Sequence, residues 1–229
     1  MMRHPGTGRL MWPNRLPFGY AESPRLFCLM TEAIAQRLRE KAAGLGIRVW
    51  CFVDDFLVAG ETKELTELGG RMLQEILLEF GLSWAPHKHR GPNQVMEFLG
   101  LMISNLEGHR RVGVTAGRLE GLQRRIGGWM EREPAAGVQL EAEPREVAKL
   151  LGHLVFASQV IPCGRTYMQS MLSSFAGLVV DWKRGMVKFA SGKLGRLRLG
   201  AGFWRDLRWW SDHLARRNSV DIEPKRAGE

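Results

Sequence analysis

The sequence predicts an α+β fold, in which an antiparallel sheet packs against helices and a mostly helical region follows. An aspartate pair interrupts an apolar, uncharged run of β-type residues, with Val49 to Val53 before it and Phe56 to Ala59 after it. Such a pattern is typical of a hairpin that is buried on at least one face. Apolar residues at helical spacing lie on both sides of this run, and they predict the packed helices.

A helix is predicted before the hairpin. Ser23 is placed to act as its N-cap, and Pro24 follows at the first helical position. The apolar residues of this segment recur at the spacing that places them on one face of a helix. The residues of that face are Leu26, Leu29, Met30, Ala33 and Ile34.

A second helix is predicted after the hairpin, with Gly81 as its C-cap. A loop from Pro86 to His89 and a single strand from Val95 to Ser104 are predicted to follow it. The apolar face of the second helix consists of Leu65, Leu68, Met72, Ile76 and Phe80.

The rest of the chain is mostly helical by its apolar periodicity, with a small hairpin predicted around Lys183 to Gly185. In the last helix, Trp209 and Trp210 have two interpretations, which are stacking on nucleic-acid bases and burial as anchors of the core. The predicted helices cover Thr115 to Met130, Glu146 to Ser158, Thr166 to Phe175 and Phe203 to Arg217.

Asp54 and Asp55 are the only charged residues of the apolar hairpin from Val49 to Ala59. Two adjacent carboxylates repel each other and lose hydration when they are buried. They are therefore expected at an exposed tip, or with a divalent cation between them. Because aspartate is also a good turn former that needs no metal, both a structural turn and a metal-dependent site remain open at this point.

Four elements resemble the palm motifs of reverse transcriptases, and they occur in the order of that family. They are the LPFG element with Ser-Pro and Phe after it, the (Y/F)-V-D-D hairpin, a lysine-bearing loop and an E-F-L-G strand. In this chain they are Leu16 to Phe27, Phe52 to Asp55, Lys88 and Glu97 to Gly100. The resemblance covers about residues 10–175 of the chain. It implies a partial right-hand polymerase palm followed by a helical thumb and connection region.

The element class is also given by resemblance. The phenylalanine of LPFG is similar to retrotransposon rather than retroviral enzymes, of the DIRS type or the gypsy type. The stretch from Leu150 to Arg165 resembles the region that follows the palm in DIRS-type elements.

The resemblance implies catalytic roles for three residues. Asp54 would be the main ligand of Mg²⁺ or Mn²⁺ and Asp55 would support it, because nucleotidyl transfer needs divalent ions that activate the primer hydroxyl and neutralise the pyrophosphate. Lys88 matches the lysine that protonates the pyrophosphate. The alternative for Lys88 is an exposed loop lysine.

Two binding elements are implied in the same way. Pro17, Phe18 and Gly19 would line the nucleotide and the template, with the glycine allowing close approach of the backbone. The hairpin of Phe98-Leu99-Gly100 would grip the end of the primer. The alternatives are a turn before a helix for the first element and an ordinary buried strand for the second.

One departure from the family decides the expected activity. The family's first catalytic aspartate lies on a strand before LPFG, whereas no residue before Glu22 is acidic here. We therefore expect a truncated domain that lacks the fingers and the first palm aspartate, so that RNA-templated DNA synthesis is impaired. A catalytically inactive nucleic-acid-binding remnant and a non-functional translated fragment are the alternatives.

Three regions are predicted along the chain. Residues 1–114 would be the partial palm, and residues 115–178 the thumb-like region. Residues 179–229 would hold the C-terminal hairpin, the tryptophan-rich helix and a polar tail.

The charge of the chain favours a polyanionic partner. The chain has 33 basic and 24 acidic residues, which gives a net charge of +9, and its pI is about 10.0. The resemblance implies a primer–template duplex of RNA and DNA together with dNTP, and a missing N-terminal segment or other element-encoded domains as further partners. The alternative is an arginine-rich composition without a specific partner.

The cysteines and the hydropathy give the expected compartment. Cys28, Cys51 and Cys163 have no paired spacing, which is typical of reduced thiols in an intracellular protein. No apolar stretch approaches the length of a membrane span, and no signal peptide is visible. We expect a protein of the cytoplasm or the nucleus that does not enter a membrane.

Overall fold

The structure is a computed structural model that describes residues 2–3, 6–11, 16–17, 19–106, 108–135 and 137–222. The helices are α1 Ser23–Lys41, α2 Lys63–Glu79, α3 Ala116–Met130, α4 Pro144–Ala157, α5 Gln169–Ser173 and α6 Ala201–Leu214, with 3₁₀ turns at Pro86–Lys88 and Thr166–Met168. The strands are β1 Met2–Arg3, β2 Leu10–Met11, β3 Ile47–Phe52, β4 Asp55–Gly60, β5 Val95–Phe98, β6 Leu101–Leu106, β7 His109–Val114, β8 Leu140–Ala142, β9 Val179–Asp181, β10 Met186–Lys188, β11 Leu194–Gly195, β12 Leu197–Leu199 and β13 Ser219–Asp221. The predicted mixture of helices and antiparallel strands is thereby confirmed.

The chain forms two compact units, residues 1–93 and residues 94–229. The boundary lies before the predicted end of the palm region at 114, because β5, β6, β7 and β13 form one four-stranded antiparallel sheet in the second unit. The functional division at 114 and 178 stays a prediction.

In the first unit, α1 and α2 cover one face of the β3–β4 hairpin. The hairpin is antiparallel, with Val49 opposite Val58 and Cys51 opposite Phe56, and these four side chains lie on the face that packs against the helices. The opposite face carries Trp50, which is 46% exposed. The prediction of a hairpin buried on at least one face is confirmed.

The predicted face of α1 is only partly confirmed, since Ile34 is fully buried and Met30 packs against the core of the first unit, but its other three residues do not pack there. Leu26, Leu29 and Ala33 are exposed. The face that packs is rotated, since the buried apolar residues of α1 are Ile34, Ala35 and Leu38. Leu26 and Leu29 are among the exposed large hydrophobic side chains.

The ends of α1 and α2 differ in how well the sequence predicted them. Ser23 is already helical, Glu22 is the N-cap residue, and the Ser23 hydroxyl donates to the Pro17 carbonyl instead of capping the helix, so the predicted N-cap was wrong. At α2, the Thr62 hydroxyl accepts from the Leu65 amide at the start. Gly81 follows the end of α2 with φ +69°, which only a glycine adopts without strain.

The second unit has a larger core, to which α3, α4 and α6 contribute. Trp210 is fully buried and its indole Nε1 donates to the Tyr167 carbonyl at 3.0 Å. The other large members of this core are Leu122, Ile126, Trp129, Leu150, Leu154, Phe203, Trp204 and Leu207. Its smaller sheets are β8 with β12, and β9, β10 and β11 in the order β11-β10-β9.

Most of the helices and strands predicted for the second unit are present in the structure, and some differ from the prediction. The helices predicted from 115, 146 and 203 correspond to α3, α4 and α6, and the small hairpin is confirmed by the β9–β10 pairing. The helix predicted from Thr166 to Phe175 is instead a 3₁₀ turn and the short α5, since Tyr167 has non-helical backbone angles. The predicted polar tail begins with β13, which pairs with β7, and residues 223–229 lie outside the described range.

None of the helices in the described part of the chain is long and apolar enough to cross a membrane.

Candidate active site

The aspartate pair lies at the tip of the β3–β4 hairpin. Phe52 pairs with Asp55, which leaves Val53 and Asp54 as a two-residue turn. Both carboxylates are exposed, which removes the desolvation cost that a buried pair would carry. The exposed tip is therefore one of the two arrangements that the sequence allows for Asp54 and Asp55.

Val53 gives the tip its unusual backbone. Its φ is +55°, in the left-handed region that favours glycine, and valine is β-branched, so this conformation is strained. Asp54, the next residue, does not share the positive φ, and a turn with a positive φ at its first position alone normally has glycine there. This turn places Asp54 at the tip and Asp55 at the start of β4, opposite Phe52.

The neighbouring thiol supports this turn. Cys51 Sγ donates to the Val53 carbonyl at 3.8 Å. Burial raises the pKa of the Cys51 thiol, while a hydrogen bond with the Thr31 hydroxyl acts in the opposite direction. The thiol therefore stays protonated and able to donate to the carbonyl of the strained residue. Sequence reasoning missed this role, because only the observed φ of Val53 reveals a need for support.

The LPFG element is attached to the start of α1. The Ser23 hydroxyl donates to the Pro17 carbonyl at 2.8 Å, and the Tyr20 amide approaches the same carbonyl at 3.5 Å. Gly19 has φ +82° and is exposed, and a Cβ there would meet open space. Phe18, the remaining predicted residue of this element, lies outside the described residues.

Lys88 ends the 3₁₀ turn Pro86–Lys88 and is exposed. It lies in the same unit as the aspartate pair. Its position fits both the exposed loop lysine and the proton donor, so the choice between these alternatives stays open.

The predicted primer-gripping residues lie in the second unit. Phe98 pairs with Leu101, which makes Leu99 and Gly100 a two-residue turn between β5 and β6. The single strand predicted from Val95 to Ser104 was therefore wrong, because the chain reverses at this turn. Leu99 has φ +51° and Gly100 has φ +76°.

The carboxylates of the described residues do not complete a site for a divalent cation. Asp54 and Asp55 supply the hard oxygen ligands that Mg²⁺ prefers. In the described ranges, however, no three or more His, Cys, Asp and Glu side chains come close enough together to hold a metal ion. In the described residues, the hairpin pair therefore has no third potential ligand beside it.

A basic cavity of about 220 Å³ lies between α3 and α4 in the second unit. Arg118, Arg125 and His153 line it, and Gly117 and Gly121 leave one side of α3 without side chains. The pKa of His153 is lowered by desolvation and then by the charges of Arg125, Lys149 and Arg118. The cavity is therefore a place where positive charges repel one another, which favours an anionic ligand.

The structure decides between base stacking and burial, the two interpretations of Trp209 and Trp210. Trp210 is fully buried. Trp209 stacks with Tyr167 at 4.1 Å and with His213 at 4.5 Å between ring centroids, both nearly parallel. Because two parallel rings already pack against the indole, stacking on a nucleic-acid base is wrong for Trp209 and burial is the correct interpretation for Trp210.

The comparisons with known proteins address the same range of the chain. Residues 3–103 match the family model of reverse transcriptase (RNA-dependent DNA polymerase). Over this range the chain is similar to reverse transcriptases. The range contains the LPFG element, the aspartate pair, Lys88 and the Leu99-Gly100 turn.

A viral relative extends the similarity beyond that range. The Gag-Pol polyprotein of Baboon endogenous virus (strain M7) is 31% identical to the chain over 157 residues, which is 68% of this chain and 8% of the polyprotein. Since 157 residues is more than the range 3–103 contains, this similarity continues past residue 103 within the second unit.

Two solved structures share the fold. Both are of foamy viral protease-reverse transcriptase in complex with double-stranded DNA, and one is the form designated dRH. They match with a TM-score of 0.58 each at 19% and 18% identity, over 92% and 93% of this chain. The chain spans 30% and 36% of theirs. This likeness confirms the predicted fold, a partial polymerase palm with the helical region that follows it.

Proposed function

We propose that this chain is the nucleic-acid-binding part of a retroelement reverse transcriptase, and that its RNA-templated DNA synthesis is impaired as the chain stands. The observation that carries the proposal is the aspartate pair of the range similar to reverse transcriptases, exposed at a strained hairpin tip, with no third ligand beside it in the described residues. The family reaction is nucleotidyl transfer with Mg²⁺ or Mn²⁺, which would neutralise charge on the nucleotide phosphates.

Each residue at the site has an assigned part in this proposal. Asp54 would be the main metal ligand and Asp55 the supporting one. Lys88 would protonate the pyrophosphate. Pro17-Phe18-Gly19 would line the nucleotide and template, and Phe98-Leu99-Gly100 would contact the primer end.

The missing ligand defines the further partner that the reaction requires. In the family, a third carboxylate comes from a strand next to the hairpin, and in the described residues β3 and β4 pair only with each other. A segment or element-encoded domain that adds an aspartate-bearing strand beside the hairpin would complete the donor set. We assign the parent element to the DIRS or gypsy type on the phenylalanine of LPFG.

The duplex would be held by the second unit. The basic cavity between α3 and α4 has the charge that backbone phosphates require. In the proposed division, residues 1–114 act as the partial palm and residues 115–178 as the thumb-like region, while residues 179–229 hold the C-terminal hairpin, the tryptophan-rich helix and the polar tail. The partners are a primer–template duplex and dNTP in the cytoplasm or the nucleus.

A catalytically inactive binding module is the second candidate. The same incomplete carboxylate set and the net charge of +9 favour it. A non-functional translated fragment is the third candidate, and the exposed face of the hairpin favours it, since Phe52 there is 58% exposed.

Primer extension on an RNA template with Mg²⁺ or Mn²⁺ tests the proposal. Wild type, Asp54→Asn and the exposed control Asp212→Asn are compared, with duplex binding measured on the same samples. We expect salt-sensitive duplex binding by all three proteins and little or no extension.

The other outcomes separate the candidates. Extension that Asp54→Asn abolishes and Asp212→Asn preserves would show a complete site, so that the impairment is wrong. Duplex binding without any extension would leave the family assignment standing and make the chain a catalytically inactive remnant. A chain that neither binds a duplex nor melts cooperatively would be the non-functional fragment.

A further inference from the structure

The Leu99-Gly100 turn, at the junction of β5 and β6, has a backbone conformation that is strained for its first residue. Two successive positive φ values are those of a type I′ turn, whose favoured first residue is asparagine, aspartate or glycine. Leucine at that position is strained. The Leu99 side chain is 39% exposed, so burial of this side chain does not account for the conformation.

A side chain of α3 lies against this turn. A Cβ built on Gly100 would come within 2.5 Å of Arg118 Nη2 and within 2.8 Å of Arg118 Cζ and Nε. The guanidinium therefore occupies the space that any side chain at position 100 would need. The positive φ favours glycine at position 100, and a side chain there would also have to displace the end of the Arg118 side chain.

The same guanidinium has a second contact. Arg118 Cζ lies 4.6 Å from the centre of the Phe156 ring of α4, in the geometry of a cation–π interaction. Arg118 also lines the basic cavity between α3 and α4. One planar group thus connects the turn to two helices at the edge of that cavity.

The helix that carries Arg118 is firmly placed. Leu122, Ile126 and Trp129 of α3 belong to the core of the second unit. The arginine therefore fixes the turn, which has little packing of its own, relative to a packed helix. A lysine would keep the charge but lacks the planar group that lies against the glycine and the ring.

We propose that Arg118 is a positioning residue for the primer end, which acts by holding the Leu99-Gly100 turn against α3 and the ring of Phe156. This deepens the proposed function and rests on it, since the turn is the element assigned to the primer. The residue acts through the turn and is not a catalytic residue.

The first test needs no nucleic acid. Amide hydrogen exchange of the peptide covering residues 97–102 is compared among wild type, Arg118→Met, Arg118→Lys and Arg124→Met, which removes a charge from the same helix. We expect exchange to quicken about two- to fivefold in both Arg118 variants, the effect of losing an exposed cation–π contact, and to stay unchanged in Arg124→Met. Unchanged exchange in Arg118→Met would overturn the proposal.

The second test reads the primer end directly. A duplex with a recessed primer carries a fluorescent base analogue at its 3′ terminus, and its intensity change on binding is compared with total duplex affinity. We expect Arg118→Met and Arg118→Lys to lose most of the intensity change. Arg124→Met should keep that change and lose only affinity, by the share of one phosphate contact.

The outcomes of these two tests distinguish the positioning role of Arg118 from the proposed function on which it rests. An Arg118→Lys variant with the wild-type signal would show that charge alone matters, so that Arg118 is an ordinary phosphate contact and the positioning role is wrong. A wild-type chain that binds no duplex would overturn the proposed function, while the exchange experiment would still decide whether Arg118 holds the turn.

Gly100→Ala gives an independent check of the same contact. Alone, it should quicken exchange of the 97–102 peptide, because the new Cβ displaces the guanidinium. In the Arg118→Met background the substitution should have a smaller effect, since no guanidinium remains to be displaced. Fully additive effects of the two substitutions would overturn the contact.

Discussion

The two compact units place their large apolar side chains in opposite ways. In the first unit the cluster of buried residues consists of Ile34, Ala35, Leu38, Val49 and Ile76. Trp50 and Phe52 on its hairpin are about half exposed. In the second unit the large aromatic residues of α3 and α6 are buried together, as Trp129, Phe203, Trp204 and Trp210.

This difference shows where stability and function are separated. A dense aromatic core keeps the second unit in one arrangement. The first unit carries the aspartate pair on a hairpin that has one packed face and one exposed apolar face. Exposed apolar patches of this kind mark interaction sites, so the thin core is consistent with a unit whose outer face is used for binding.

Trp210→Ala should produce the largest effect and would sharpen the comparison. The substitution removes a fully buried ring and its hydrogen bond to the Tyr167 carbonyl, so we expect a loss of about 3–5 kcal/mol in the free energy of unfolding. Urea unfolding followed by circular dichroism measures it. Trp182→Ala, at a half-exposed tryptophan of the same unit, is the control and should cost little. Equal losses in the two variants would contradict the picture of a tightly packed second core.

Ile76→Ala tests the core of the first unit. Ile76 is fully buried, and its truncation should cost about 2–4 kcal/mol, less than Trp210→Ala, because fewer atoms are lost from a smaller core. Hydrogen exchange resolved by peptide should show faster opening in residues 23–82 and none in the second unit. Leu78→Ala is the matched control on the same helix, since Leu78 is 62% exposed. Faster exchange throughout the chain would break the division into separate units.

Val53→Gly should have the smallest effect on the free energy of unfolding, and this effect should be stabilising. Glycine adopts φ +55° without strain, so the variant should gain about 0.5–1 kcal/mol of stability despite the entropy that glycine loses on folding. Thermal or urea unfolding measures the gain. Val138→Gly, at an exposed loop valine outside the positive-φ positions, should show no such gain. A destabilised Val53→Gly variant would mean that the valine side chain supports the tip more than its backbone strains it.

The sequence determined the order of the motifs and most of the elements. An apolar run broken by two carboxylates needs either an exposed tip or a cation between them, so the exposed tip at Asp54 and Asp55 was one of two predicted arrangements. Periodicity also located α1 and α2 with few errors at their ends. The glycine after α2 was predictable because a positive φ is costly for any other residue type.

Only the tertiary structure decided which surfaces are used. The packed face of α1 differs from the predicted one, because a helix with apolar residues on more than one side is oriented by its partners rather than by its own periodicity. For Trp209 the sequence left base stacking and burial open, and the ring of Tyr167, which comes from another segment of the chain, decides against stacking. Arg118 reaches Gly100 across 18 positions of sequence, and no local propensity reports a contact between a turn and a helix at that separation. Local sequence determines the elements, whereas the side chains that support the site come from folding distant segments together.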